Sequence, residues 1–335
     1  MKFVLDIMGG DNSPYAPIDG AIQFINEFKD ATVVLCGQEE LIKNYLNSKN
    51  INSEQLEILN ATQEITCHDN PLTALKEKPD SSLSKALDYT RSEQADAIIS
   101  SGSTGVLYMG SVGKIKRIPG INRPALTPLL PNLKGGKTLL IDSGANADCR
   151  PEHLANFALI GSAFMKSYLN IINPRVALIS NGTEDEKGNA LTKEAHALLR
   201  ELPINFIGNI EARNALSGDA DVLVCDGFTG NILLKTTEGT LSAFSTLLKR
   251  ELKSSYISTI GAILIKRKLS NLKKMFDYKE EGGALLLGVS KCVVKAHGSS
   301  DAKAYKNALR QAYSFTKNKV IDVITDAVSK SSNSN

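Results

Sequence analysis

The residues best suited to chemistry sit together in Asp226-Gly227-Phe228-Thr229-Gly230-Asn231. The apolar run Val222-Leu223-Val224-Cys225 precedes them, and a helical pattern to about Leu252 follows. That order predicts a buried strand, a small polar turn and a helix. Such a turn aims backbone N–H groups and the positive helix end at one point. Gly227 and Gly230 admit a substrate close to the backbone, and Asn231 adds a side-chain N–H. A phosphate fits there, as does the oxygen that turns negative when a carbonyl is attacked. An ordinary turn with an Asn cap reads the same way. Lys187, between Glu186 and Gly188 in the polar stretch 181–189, is a point charge suited to phosphate, or equally a solvated loop lysine. His297 precedes Ser299-Ser300 and can bind an anion, donate a proton to a leaving group, or serve as a hydrogen-bonded structural histidine.

Other chemistries lack their residues. No G-x-S-x-G occurs, so a nucleophile elbow is not expected, and no G-x-x-x-x-G-K-[ST] phosphate loop occurs. Met8-Gly9-Gly10-Asp11 is not G-x-G-x-x-G, which disfavours a nicotinamide cofactor. Glu184, Asp185 and Glu186 could hold a metal, but adjacent carboxylates more often cap the next helix, so no metal and no cofactor are expected. Five scattered cysteines without a CxxC pair point to reduced thiols in a cytoplasmic setting. No signal peptide and no run of about 18 apolar residues are read. A net charge of +3 is too small to argue for nucleic acid.

Stepping outward, short apolar runs at 2–7, 32–37, 56–59, 97–100, 138–142, 176–180, 204–207 and 222–225 alternate with helical patterns. This predicts an α/β fold with a doubly wound, mainly parallel sheet. Small polar turns at 8–14, 101–105, 143–146, 181–189 and 226–231 fall at the carboxyl ends of strands, where ligands sit in such sheets. They predict one shared crevice, with Gly9, Gly10, Asp11, Gly102, Thr104, Asn146, Gly230 and His297 as candidates to line it. Residues 282–288 and 292–296 read as paired strands, 302–328 as a helix and 329–335 as a disordered tail. The rest, 1–328, reads as a single two-lobed catalytic unit.

Residues 249–276 carry eight Lys and Arg against one glutamate. Ile257, Ile260 and Leu264 share one helical face, as do Ile265, Leu269, Leu272 and Phe276. An apolar stripe beside Lys266, Arg267 and Lys268 suits a helix lying on an anionic bilayer. A core- or dimer-facing helix, or an acidic protein partner, fits the same pattern. Nucleic acid fits poorly, because no aromatic side chains interleave the charges for stacking.

Taken together, the turns resemble the bacterial phosphate acyltransferases of the PlsX family. The resemblance runs from Asp6-Ile7-Met8-Gly9-Gly10-Asp11 through Asp142-Ser143-Gly144-Ala145-Asn146, Pro151-Glu152-His153-Leu154, Gly182-Thr183-Glu184-Asp185, Lys187-Gly188-Asn189 and Phe206-Ile207-Gly208-Asn209. It then takes in 226–231 and ends at Lys295-Ala296-His297-Gly298-Ser299-Ser300-Asp301. Ile7, Ser103 and Ser143 stand where the family usually has Ala, Asn and often Val. The resemblance implies a two-lobed fold similar to the phosphotransacetylases and isocitrate dehydrogenases. It implies formation of acyl phosphate from acyl-[acyl carrier protein] and inorganic phosphate, an early step of phospholipid synthesis. It places the family's catalytic lysine and asparagine on Lys187 and Asn231. It further implies a homodimer, peripheral attachment to the inner membrane face through the region matching 253–276, and a downstream membrane glycerol-3-phosphate acyltransferase of the PlsY type.

Two rivals make different demands. An isocitrate dehydrogenase-type oxidoreductase needs clustered Asp metal ligands and Arg clamps for a diacid, neither of which is evident. A peripheral membrane scaffold for lipid synthesis would bind vesicles without consuming acyl-carrier thioester.

Overall fold

A computed structural model of the chain describes residues 1–275 and 280–332. The strands are β1 (Lys2–Asp6), β2 (Thr32–Gly37), β3 (Leu56–Asn60), β4 (Ala97–Ser100), β5 (Ala125–Thr127), β6 (Leu129–Pro131), β7 (Lys137–Ile141), β8 (Arg175–Ser180), β9 (Asn205–Glu211), β10 (Val222–Val224), β11 (Ala284–Leu287) and β12 (Cys292–Lys295). The helices are α1 (Tyr15–Glu27), α2 (Glu39–Ser48), α3 (Ala74–Glu77), α4 (Ser82–Arg91), α5 (Thr104–Gly110), α6 (Pro151–Tyr168), α7 (Ala190–Glu201), α8 (Gly227–Leu252), α9 (Tyr256–Met275), α10 (Ala302–Lys317) and α11 (Val320–Ser332).

The α/β class expected from the alternating pattern is the one observed, but the strands form two sheets. One runs β3-β2-β1-β4-β12-β11-β5 and the other β6-β7-β10-β8-β9. Within each, β1 to β4 and β12, and β7 to β10, pair in parallel, while β11, β5 and β6 pair antiparallel. The chain passes from one sheet to the other at Pro128, between three-residue strands too short to announce themselves in the sequence. Leu126 on β5 holds the two sheets together. Its N–H donates to Asp142 Oδ1 at 2.9 Å and its carbonyl accepts the Ser143 N–H at 2.9 Å.

Register decides what the turns can share. Leu5 pairs with Ile99, and Ser100 with Lys295, so Asp6, Ser100 and Lys295 end three neighbouring strands in one row. In the other sheet Ile141 pairs with Val224, and Val224 with Leu178. The interior is apolar; α6 alone buries Leu154, Phe157, Ile160, Phe164 and Met165. Removing that much aliphatic and aromatic surface from water is the main force holding the layers together.

Two expected elements change at the C-terminus. The helix expected over 302–328 breaks into α10 and α11, because Lys319 adopts a left-handed backbone with φ 50°. The tail expected from 329 begins inside α11, where the Lys330 ammonium meets Asp326 one turn back at 2.7 Å. Residues 333–335 lie outside the described residues, as does Phe276 of the predicted apolar stripe.

Candidate active site

A cavity of about 600 Å³ opens where the chain crosses between the sheets. Its walls come from the turns after β4, β7, β10 and β12 and from the β5–β6 crossing. Thr104, Ser143, Gly144, Gly227, Asn231, Lys235, Lys295, His297 and Gly298 are among its polar lining, together with two carboxylates, Glu238 paired with Lys235 and Glu281 paired with Lys137. Leu126, Leu129, Leu130, Leu216, Leu234 and Leu241 make its apolar side. One cavity thus offers cations and amide donors beside a channel of leucines.

Asn231 stands in the first turn of α8. Gly144 lies beside it, where a β-carbon would meet Oδ1 at an ordinary 3.5 Å, and it is the positive φ of 137° that favours glycine there. The backbone at this helix end is mostly engaged. Gly227 N–H donates to Asn146 O at 2.8 Å, and Gly230 N–H to Asp226 O at 3.0 Å. Thr229 N–H donates to the capping carboxylate of Asp226 at 2.8 Å. The side-chain amide of Asn231 and the ammonium of Lys235 are therefore the donors that α8 presents to the cavity.

His297 is exposed at the opposite wall. Its Nδ1 accepts the Ser299 N–H at 3.2 Å and lies 2.9 Å from Ser299 Oγ, which places the proton of the neutral ring on Nε2. Partial burial, with the Lys235 charge second, lowers its pKa and keeps the ring neutral at pH 7. Lys295 Nζ donates to Ser101 O at 3.0 Å and to Ala296 O. Burial pushes its pKa down to about 8. Lys235 pairs with Glu238 at 2.7 Å.

Several predicted lining residues hold the cavity up from behind. A β-carbon on Gly9 would lie 2.6 Å from Gly102 Cα, so these glycines let the turns after β1 and β4 pack together. Gly10 (φ 106°) lies against Ser101, and the Asp11 N–H donates to Gly298 O at 2.8 Å. A β-carbon on Gly230 would collide with the Asp142 carbonyl. Asn146 is buried, giving its amide to Pro124 O and Asp142 Oδ2 and accepting the Tyr108 hydroxyl. Asp142 in turn collects N–H groups from Leu126, Gly144, Ala145 and Asn146, while burial pushes its carboxyl up. Ser103 caps α5 without a side-chain hydrogen bond.

Lys187 lies apart from these residues. It is exposed on the loop after β8, its aliphatic stem against Gly182 and its N–H on Glu184 O at 3.0 Å. It is not among the residues that line the cavity, and its strand β8 lies next beyond β10 in the sheet. Nearby, Asp185 meets Arg200 and His196 on α7, and Asn189 caps that helix. No cluster of metal-ligating side chains exists among the described residues. Lys235, Lys295, Ser143 and Gly298 were not predicted as site residues. The signal for Lys295 was a cation at the end of an apolar strand, just before the His297 turn.

The basic segment runs from the last turn of α8 through α9, and the described apolar residues Ile257, Ile260, Ile263, Leu264 and Ile265 do not face a core. Ile257 is 84% exposed and Leu264 79%, with Ile260, Ile263 and Ile265 also exposed beside Lys266, Arg267 and Lys268. On α8 only Gly227 and Gly230 are buried, and Phe244 and Leu247 are exposed. No described helix is long and apolar enough to cross a membrane.

Two mainly parallel sheets with a cavity at their strand ends are the fold of the phosphotransacetylases. A phosphotransacetylase from Streptococcus pyogenes superposes with a TM-score of 0.65 at 19% identity, over 96% of this chain and 94% of that one. A branched-chain phosphotransacylase from Enterococcus faecalis V583 gives 0.54 at 15% identity, over 93% and 98%. The family model described as "Fatty acid synthesis protein" matches residues 1–323. Phosphate acyltransferases from Clostridium novyi and Geobacillus thermodenitrificans are each 46% identical, over 97% of both chains in the first case and 99% and 100% in the second. The chain belongs to this phosphate acyltransferase (PlsX) family, and it is an acyltransferase.

Proposed function

We propose that the chain forms acyl phosphate by attack of inorganic phosphate on the thioester carbonyl of acyl-[acyl carrier protein]. The observation that carries this reading is one cavity lined both by the Lys235 and Lys295 ammonium groups with the Asn231 amide and by six leucines, its Glu238 and Glu281 carboxylates being paired with Lys235 and Lys137. The first suits phosphate and the second a long acyl chain. Phosphate near neutral pH is already an anionic nucleophile, so no Ser–His or Cys–His pair is needed. A phosphate oxygen bonds to the carbonyl carbon, the carbon–sulfur bond breaks, and the thiolate takes up a proton. The protein holds the reactants together and receives the charge that develops on the carbonyl oxygen. Asn231 is the proposed donor to that oxygen. The neutral His297, with its proton on Nε2, is the proposed hydrogen-bond donor to the leaving sulfur, whose own proton comes from solvent. Lys187 is proposed as a reaction residue on the resemblance alone, since its loop stands outside the cavity wall.

Incubation with palmitoyl-carrier and phosphate, followed by hydroxylamine trapping, should yield palmitoyl hydroxamate in proportion to phosphate. Thioester that survives equally with and without phosphate would refute the reading. It would leave the scaffold alternative if vesicles are still bound, and a nicotinamide assay with Mg²⁺ and hydroxy acids addresses the dehydrogenase one.

We also propose that the chain is a homodimer acting in the cytoplasm at the inner membrane face. Support comes from the exposed apolar rows on α8 and α9, larger than a lone soluble helix pair normally shows. Phe244 and Leu247 suit a second copy; Ile257, Ile260 and Leu264 with their basic rim suit anionic lipid, or the acidic carrier in an alternative state. Acyl phosphate is a reactive mixed anhydride, and delivery at the membrane to a glycerol-3-phosphate acyltransferase of the PlsY type would limit its hydrolysis. Ile260→Asp should abolish flotation with anionic vesicles, and undiminished flotation would exclude α9 as the contact.

A further inference from the structure

The cavity holds two lysines in unlike surroundings. Lys235 is half-exposed and neutralised by Glu238 at 2.7 Å. Lys295 is mostly buried, and its ammonium rests on two backbone carbonyls, Ser101 O and Ala296 O. Among the described residues no carboxylate lies within ion-pair distance of it. The charged and titratable groups around it are Asp6 at the end of β1, Asp11 in the turn that follows, Lys235 on α8 and His297 on its own turn, and the same cavity holds Glu238, paired with Lys235, and Glu281, paired with Lys137. Asp6 is already engaged: it accepts the hydroxyls of Ser82 at 2.6 Å and Ser100 at 2.7 Å, and the Met8 N–H at 3.2 Å.

A cation drawn out of water without a counter-ion is unfavourable unless something compensates it. Carbonyl dipoles compensate in part, and an arriving anion would complete the set. Strand register fixes Lys295 at the end of β12, so it is held on a rigid element and not on a mobile loop. Gly298, His297 and Thr104 line the same pocket, and Asn231 faces it from α8.

We propose that Lys295 is the anchor for inorganic phosphate in this cavity, binding the nucleophile directly and holding it on the β12 side while the acyl thioester enters along the leucines. The role rests on the reading above that phosphate is the nucleophile, but the anion site exists without an acyl donor. The two can therefore be tested apart. Lys295 sets the phosphate requirement, and Asn231 sets the rate once both substrates are bound.

The probe is inorganic phosphate, titrated calorimetrically into the full chain with no acyl donor. Lys295→Met should weaken binding roughly 10- to 100-fold, raise the KM for phosphate in parallel, and leave the KM for the thioester nearly unchanged. Its melting temperature should hold or rise, because an uncompensated charge has been replaced by an apolar side chain. Lys295→Arg should retain part of the affinity. The unmodified chain supplies a second measurement that does not depend on a variant folding. The Lys295 pKa is lowered, so the free ammonium loses its proton above about pH 8. Affinity for the phosphate dianion should then fall about tenfold per pH unit above that point. Equal affinity in Lys295→Met, or a flat dianion affinity from about pH 7.5 to 9.5, would overturn the proposal. Phosphate binding that needs Lys295 in a chain that forms no acyl phosphate would uphold the anchor and refute the reaction.

Discussion

The turns after β1 and β4 and the turns after β10 and β12 look alike in sequence, being short, glycine-rich and polar. In the structure they divide residue by residue, since Thr104 after β4 also lines the cavity and Gly227 and Gly230 after β10 are themselves packed against protein. Gly9, Gly10 and Gly102 press two backbones together, and their missing side chains are filled by protein. Gly298, by contrast, meets only the Asp11 carboxylate at ordinary contact distance, and together with Asn231 it borders open cavity. The same composition serves close packing in one place and ligand space in the other. What separates them is the neighbouring strand, a fact of register and not of local sequence.

The contrast yields predictions that differ by residue, and the widest gap should come first. Asn231→Ala should lower turnover about a hundredfold, the loss of one oxyanion donor worth on the order of 3 kcal/mol, with no loss of melting temperature. Near-normal turnover would remove Asn231 from the reaction. Lys187→Ala, assigned by resemblance, should reach a similar loss in kcat while phosphate affinity stays intact. Gly230→Ala should act on the fold, by about 2 to 3 kcal/mol in denaturant titration, because its β-carbon would strike the Asp142 carbonyl. Asn146→Ala should cost about 2 kcal/mol by removing the amide that donates to the Pro124 carbonyl and accepts the Tyr108 hydroxyl. Should Asn146→Ala unfold no earlier than the parent yet lose turnover, its place behind the wall would have to be reconsidered. Smallest of all, Gly298→Ala should change stability by under about 0.5 kcal/mol, whereas Gly9→Ala should exceed that several times over.

Much of this fold could be read from local pattern. The span of α8 to Leu252 and the pairing of β11 with β12 follow from periodicity and two apolar runs close in sequence. The division into two sheets could not, because Ala125–Thr127 and Leu129–Pro131 are too short to show alternation. Asn231, Thr104 and His297 were found because a turn at a strand end carries its own signature. Lys295 was passed over because a lysine closing an apolar strand resembles any strand end at the surface. Only the pairing of Lys295 with Ser100 makes it interior. Conversely, Asn146 and Gly9 carry the same turn signature as Asn231, and nothing local distinguishes a buried brace from a wall.

Helix α8 spans 26 residues without interruption, about 39 Å at ~1.5 Å per residue. Asn231 sits at its inner end, while Phe244 and Leu247 stand near its outer end. A stiff rod with a reactive amide at one tip cannot be gripped at the other without fixing the angle of that amide. A second copy seated on the outer half, as proposed above, would therefore bear on the direction of the Asn231 amide as well.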